Sequence, residues 1–247
     1  MRRNPKGVGV RRFFLLWAVL VPLFSGCIRL EQDLALNPDG TGELKFVYGV
    51  KEQDLQRMRE VARQMAAIDP SLAQEDVDWL TSFDEQAIRR EWAKAANEGV
   101  HLKTVKTESS GGWRYMRAAI TFKTLQHLLD CGMIREVTIS LTRGPSGQYG
   151  FLQSIDTAKA SKSLPPGMNL ETMGPFLSHL FGDFRADFRV HSPGPIIRSN
   201  ADRVEGRQAF WSVRGDQPDF LAKIENFNMR LLFDGKGMKI AEAEMMK

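Results

Sequence analysis

Twelve consecutive apolar residues, Phe13 to Phe24, lead into Ser25–Gly26–Cys27, and the chain behind that cysteine at once begins to alternate apolar and polar side chains. Arg2, Arg3, Lys6, Arg11 and Arg12 precede the run with no acidic residue among them. A basic start, a short apolar stretch and small residues before a cut site form a secretory signal. Twelve helical residues cover roughly 18 Å, well short of the roughly 30 Å hydrocarbon core, so a permanent span is disfavoured. The expectation is a cleaved signal at residues 1–26. Leu23–Phe24–Ser25–Gly26–Cys27 resembles the bacterial lipobox, with Phe24 where leucine is usual, and implies that Cys27 becomes the acylated first residue. A diacylated and N-acylated cysteine meets the requirement of more than one chain for stable anchoring. Cys27→Ser is expected to give membrane-free or unprocessed protein. Ile28, rather than Asp, behind the cysteine points to the outer membrane where the host has one.

Of the 34 basic residues, five lie in the signal, leaving 29 against 30 acidic ones. The apparent basicity therefore belongs to the signal, and the electrostatic footprint that nucleic-acid binding needs is missing from residues 27–247. Cys131 is the second of two cysteines, so with Cys27 acylated no disulfide framework is available. Behind the apolar run 125–129 it reads as a buried small hydrophobe.

Ile28, Leu30, Leu34 and Leu36 alternate with polar neighbours, Asn37–Pro38–Asp39–Gly40 supplies a type I turn, and Leu44, Phe46, Tyr48 and Val50 resume the period of two. Residues 28–50 thus predict a hairpin starting at the anchor. A calcium loop around 37–43 fails on its ligands, since Ala35 and Phe46 would occupy the first and twelfth places. Three- and four-residue spacing of apolar residues predicts helices over 52–68, from an Asp84 cap to Gly99, and around 173–181. Strands are expected at 100–107, 113–122, 134–142, 148–155, 184–191, 208–213 and 228–233, with hairpin connections at 109–112 and 144–147.

The fold expected is α+β: a curved antiparallel β-sheet with amphipathic helices packed on it, in one extracytoplasmic domain over 27–247 with a helical insertion at about 52–98. Within Ala209–Phe210–Trp211–Ser212–Val213, Trp211 shares a strand face with Ala209 and Val213 and is expected in the core. Pro193–Gly194–Pro195 and Ser199–Asn200 read as structural punctuation, with Gly194 permitting a sharp reversal.

His101, His127, His179 and His191 lie far apart with no metal-ligand spacing, and no nucleophile elbow or phosphate cradle is present. No catalytic residue, metal or cofactor is therefore assigned. Cys27, the opening hairpin and the stretch from Val190 through Pro193–Gly194, Ile196, Ser199–Asn200 and Ala209–Phe210–Trp211 resemble the LppM-type family of bacterial lipoproteins. That resemblance implies an extracytoplasmic α+β domain with an envelope or lipid-associated role and brings no catalytic residues with it. The function expected is a non-enzymatic, membrane-anchored envelope lipoprotein that binds an apolar ligand or a partner protein, its membrane contact made through acyl chains on Cys27. Methionines 58, 65 and 173 on the helices would line an apolar cleft. A scaffold without a pocket and a hydrolase-like enzyme are the alternatives, separated by the kind of cavity the fold encloses.

Overall fold

The computed structural model describes residues 28–56, 59–60, 83–95, 99–131, 137–144, 146–155, 183–238, 240 and 244–245. The chain is α+β. The opening hairpin pairs β1 (Ile28–Leu36) with β2 (Gly42–Lys51), Ile28 opposite Val50 and Leu36 opposite Gly42. Gly40 takes φ +91° as its N–H donates to the Asn37 carbonyl at 3.0 Å, the positive φ that only glycine adopts without strain.

The helix α1 (Glu85–Ala95) follows, then β3 (Val100–Ser110), β4 (Trp113–Phe122), the short α2 (Leu125–Asp130), β5 (Val137–Arg143) and β6 (Gln148–Ile155). After them come β7 (Arg185–His191), β8 (Ile196–Ser199), β9 (Arg203–Glu205), β10 (Gln208–Arg214), α3 (Phe220–Glu225), β11 (Asn228–Asp234) and β12 (Glu244–Met245). Asp84 caps α1, its carboxylate accepting from the backbone N–H groups of Gln86 at 2.8 Å and Ala87 at 3.3 Å. Residues 52–56 are helical as expected; most of the predicted 52–68 helix, the 173–181 helix and methionines 58, 65 and 173 lie outside the described residues.

The strands divide into two sheets rather than one, ordered β3-β4-β2-β1-β7-β10-β9 and β12-β5-β6-β11-β8. Nor is the larger sheet wholly antiparallel, because β1 runs parallel to β7 from Arg29 opposite Arg185 to Ala35 opposite His191. The reason is connectivity: β2 and β7 flank β1, and only one of them is its hairpin partner. Leu34, Leu44, Ile120, Val190, Ala209 and Trp211 of the first sheet meet Tyr149, Phe151, Met229, Leu231 and Phe233 of the second in one buried cluster. A second cluster lies against the other half of that inner face, where Leu55, Phe83, Ile88 and Phe220 cover Tyr48, Val50, Met116, Ala186 and Val213. Phe46, Leu102, Phe188 and Phe227 pack against both clusters and join them. Burial pushes the Tyr48 hydroxyl pKa well above its ordinary value.

Between the sheets sits a polar pair. Gln32 and Gln153 exchange side-chain amide hydrogen bonds at 2.9 and 3.0 Å, and Gln153 is buried. Gln153→Ala would strand the Gln32 amide and is expected to cost about 1–3 kcal/mol. Replacing both glutamines by leucine is expected to cost less than the single change, and thermal melts of the two variants check this.

The β3 edge of the larger sheet is covered by α1. Glu85 accepts from the Thr107 N–H at 2.7 Å and Arg89 donates to the Val105 carbonyl at 3.4 Å. These side chains occupy backbone groups that would otherwise invite another strand.

Candidate functional site

Alternation along β1, β7 and β10 sends Leu34, Val190, Ala209 and Trp211 inward and leaves Glu31, Asp33, Arg185, Asp187, Arg189, Phe210 and Ser212 on the opposite face. No described helix packs on that outer face, and a cavity of about 600 Å³ opens over it. Its walls include Lys45, Asp187, Arg189, Arg203, Phe210 and Arg214.

The charges here are interleaved. Asp33 meets Arg189 at 3.3 Å and His191 Nε2 at 2.9 Å. Asp187 pairs with Arg185 and accepts from the Ser212 hydroxyl at 2.9 Å, while Asp202 accepts from the Ser212 N–H at 2.7 Å. At the centre of the β7-β10-β9 side, Phe210 lies directly across from Arg189 on one neighbour and Arg203 on the other. Their guanidinium carbons sit 5.0 and 4.3 Å from the ring centroid, so the ring is held between two cations. Arg203 also meets Glu205 at 2.8 Å. Such a surface offers donors, acceptors and one aromatic ring to an incoming polar group.

Further along the same face, Glu43 meets Lys103 at 3.1 Å and Lys45 at 3.3 Å. Burial raises its pKa, but the two lysines outweigh burial and hold the carboxyl below its ordinary 4.5. A depressed folded value means the stabilisation is complete above pH 4.5 and is lost as pH falls through the folded pKa. The melting midpoint of Glu43→Gln should therefore approach that of the unchanged protein as the pH is lowered below 4.5. In the 37–41 turn, the Thr41 hydroxyl and N–H bond the Asp39 carboxylate at 2.8 and 3.0 Å and lower its pKa, engaging it within the turn.

A smaller cavity of about 330 Å³ lies between β10 and α3, bordered by Asn200, Asp202, Asp219, Lys223, Asn226 and Asn228. Asn200, one of the residues singled out in the sequence, is a clamp. Its Oδ1 accepts from Trp211 Nε1 at 3.0 Å and the Arg230 N–H at 2.8 Å, and its Nδ2 donates to the carbonyl and side-chain oxygens of Asn228 at 3.0 and 3.1 Å. One side chain thus ties β10 of the first sheet to β11 of the second. Trp211 is 5% exposed, in the core as expected.

Gly194 departs from expectation in its reason. It has no positive φ; instead a Cβ built on it would overlap the backbone carbonyl of Asp234, whose N–H donates to Pro195 at 2.9 Å. Close approach of β11, not reversal, demands the glycine.

Cys27 itself lies outside the described residues, immediately before β1. His191 is engaged with Asp33, His127 with the Thr124 hydroxyl at the start of α2, and His101 lies on β3; His179 is outside the described residues. Among the described residues no three His, Cys, Asp or Glu side chains gather as a metal site would need. Cys131 is buried, its thiol donating to the Leu128 carbonyl at 3.0 Å. The outer face was not anticipated from the sequence. Its signal was the charge alternation at 29, 31 and 33 and again at 185, 187 and 189, which gains meaning only once β1 and β7 are known to pair.

The chain is similar in structure to the NMR structure of the Mycobacterium tuberculosis LppM folded domain, at 12% sequence identity and a TM-score of 0.46, over 85% of this chain and 91% of that one. No protein-family model and no curated protein matches it.

Proposed function

We propose that this is a lipid-anchored, non-enzymatic envelope protein that presents the outer face of its larger sheet to a partner protein. The anchor follows from the signal pattern ending at Cys27 and from β1 starting at the next residue, which leaves the sheet tethered to the bilayer. The face carries the binding role. Its single strongest feature is Phe210 held between Arg189 and Arg203 beneath an open 600 Å³ concavity.

An open concavity walled by charged side chains suits a polar protein surface better than an acyl chain, which binds in an enclosed apolar pocket. Arginine and aromatic residues are also the types that dominate protein interfaces. Asp33 and Asp187 of this face are taken up by arginine, histidine and serine rather than aimed at a reacting centre.

Replacing Phe210 by a photoreactive phenylalanine analogue in the native host tests the reading. A discrete protein adduct that is lost on Arg203→Glu is the expected result. Labelling no stronger than from the same analogue at Arg230, on the other sheet, would contradict it.

A further inference from the structure

The distance between Cys27 and the sheet fixes more than an address. Ile28 is already strand, and Arg29, two residues from Cys27, is at most roughly 7 Å along the chain from it. The polar headgroup layer of a bilayer is itself roughly 5–8 Å thick on each side. With an acylated Cys27, the start of β1 therefore has no linker with which to stand clear of the lipid.

Arg29 belongs to a row that crosses six strands, ending on β3 at Glu108, which lies opposite Tyr115 and pairs with Arg117 at 2.7 Å. Arg29 lies opposite Gly49, Gly49 opposite Tyr115, Arg29 opposite Arg185, and Arg185 opposite Arg214. One step nearer the strand ends, Lys51 lies opposite Trp113. The missing side chain at Gly49 makes room for Tyr115, since a Cβ there would come within 2.6 Å of its ring. The Tyr115 hydroxyl consequently accepts from Arg29 at 3.1 Å, and Arg29 lies 4.1 Å from the centre of the Trp113 ring, with the Lys51 ammonium at 5.7 Å. Trp113 stacks in turn on Tyr115 at 6.2 Å. The exposed Ser110–Gly111–Gly112 hairpin closes the same rim.

Trp113 is buried beneath the two cations, while Tyr115 is half-buried. Long cations and an aromatic ring at the strand ends beside the anchor match the residue chemistry of a membrane interface, where rings sit at headgroup level and cations reach the phosphates. Carboxylates are also present. Asp183 pairs with Lys51, Asp187 with Arg185, Glu52 accepts from the Ser109 hydroxyl at 2.6 Å, and Glu31 and Asp216 lie two residues along the chain from Arg29 and Arg214. Among the described residues no carboxylate pairs with Arg29 or Arg214.

We infer that this rim is a membrane-docking surface: Arg29, Lys51 and Tyr115, packed over the buried Trp113, seat in the headgroup layer of the bilayer that holds Cys27, with Arg29 and Lys51 meeting phospholipid phosphates. The domain then stands on its strand ends, with the Asn37–Thr41 turn some nine residues and roughly 30 Å away from the lipid. The inference rests on the anchored reading of Cys27, and it leaves the Phe210 face free for a partner.

The test uses the chain purified from host membranes in nanodiscs containing phosphatidylglycerol with a photoreactive headgroup. Adducts should form on peptides spanning 49–51 and 109–115 at five-fold or more the yield on 37–41 and 121–124, and Arg29→Glu with Lys51→Glu should cut that yield several-fold. Equal yields at the two ends, or a preference for the far end, would overturn the docking. Because the unchanged protein already decides the matter, a double variant that fails to fold leaves the conclusion standing or fallen. Weighing the Cys27 peptide in the same sample separates the two claims: a cysteine without acyl chains overturns the anchor, while docking is still read from the adducts formed by chain added to the nanodiscs from solution.

Discussion

Trp211→Ala is expected to cost about 3–5 kcal/mol, in the range for deleting a large buried aromatic. At roughly 2–4 °C per kcal/mol for a chain of this size, that lowers the melting midpoint by about 6–20 °C. The side chain is 5% exposed within the cluster that joins the two sheets, and its indole N–H is committed to Asn200. Truncation would open a cavity at the inter-sheet seam and also release Asn200 from one of its four bonds. Asn200→Ala alone should cost about 1–2 kcal/mol, because an exposed amide can exchange its bonds for water. The two changes should not add. With Trp211 gone, the second substitution loses less, and a double-mutant cycle from denaturant melts should show coupling of at least about 0.5 kcal/mol. Additive costs would mean that the hydrogen bond contributes little.

The second large effect is Gly194→Ala, expected to destabilise by about 3 kcal/mol through overpacking. The methyl group would be driven into the Asp234 carbonyl, and the neighbouring Asp234–Pro195 hydrogen bond would have to lengthen to relieve it. Because backbone rather than a flexible side chain is in the way, little local adjustment is available. Gly206→Ala is the comparison. Gly206 has φ +60° with nothing near its would-be Cβ, so only left-handed strain applies, about 1 kcal/mol. Equal midpoints for the two variants would refute the close-approach reading.

What could be read from residue pattern follows the range of the interactions involved. The opening hairpin, the 109–112 and 144–147 connections and the inward placement of Trp211 depend on period-two alternation and turn chemistry within a few residues, and all are observed. The two six-residue helices α2 and α3 were missed because less than two turns cannot display a helical period. The strand β9, three residues long, escaped for the same kind of reason.

The division into two sheets was illegible for a different cause. The larger sheet is assembled only when β1 pairs in parallel with β7, an alliance between residues 29–35 and 185–191 that no local signal announces. The candidate face inherits that blindness, since Phe210, Arg189 and Arg203 are brought together by cross-strand register and not by spacing along the chain. Gly194 shows the converse. Its importance was visible from its proline neighbours, whereas its physical reason lay forty residues away in Asp234.

If Cys27 tethers the bilayer to the first strand with no linker between them, the mass of the mature N-terminal peptide will show it. The mature chain should start at Cys27 and carry a diacylglyceryl group and an N-acyl chain, with Cys27→Ser abolishing incorporation of labelled fatty acid. A mature chain that begins elsewhere, or a Cys27 thiol that is unmodified and free to alkylate, would contradict it.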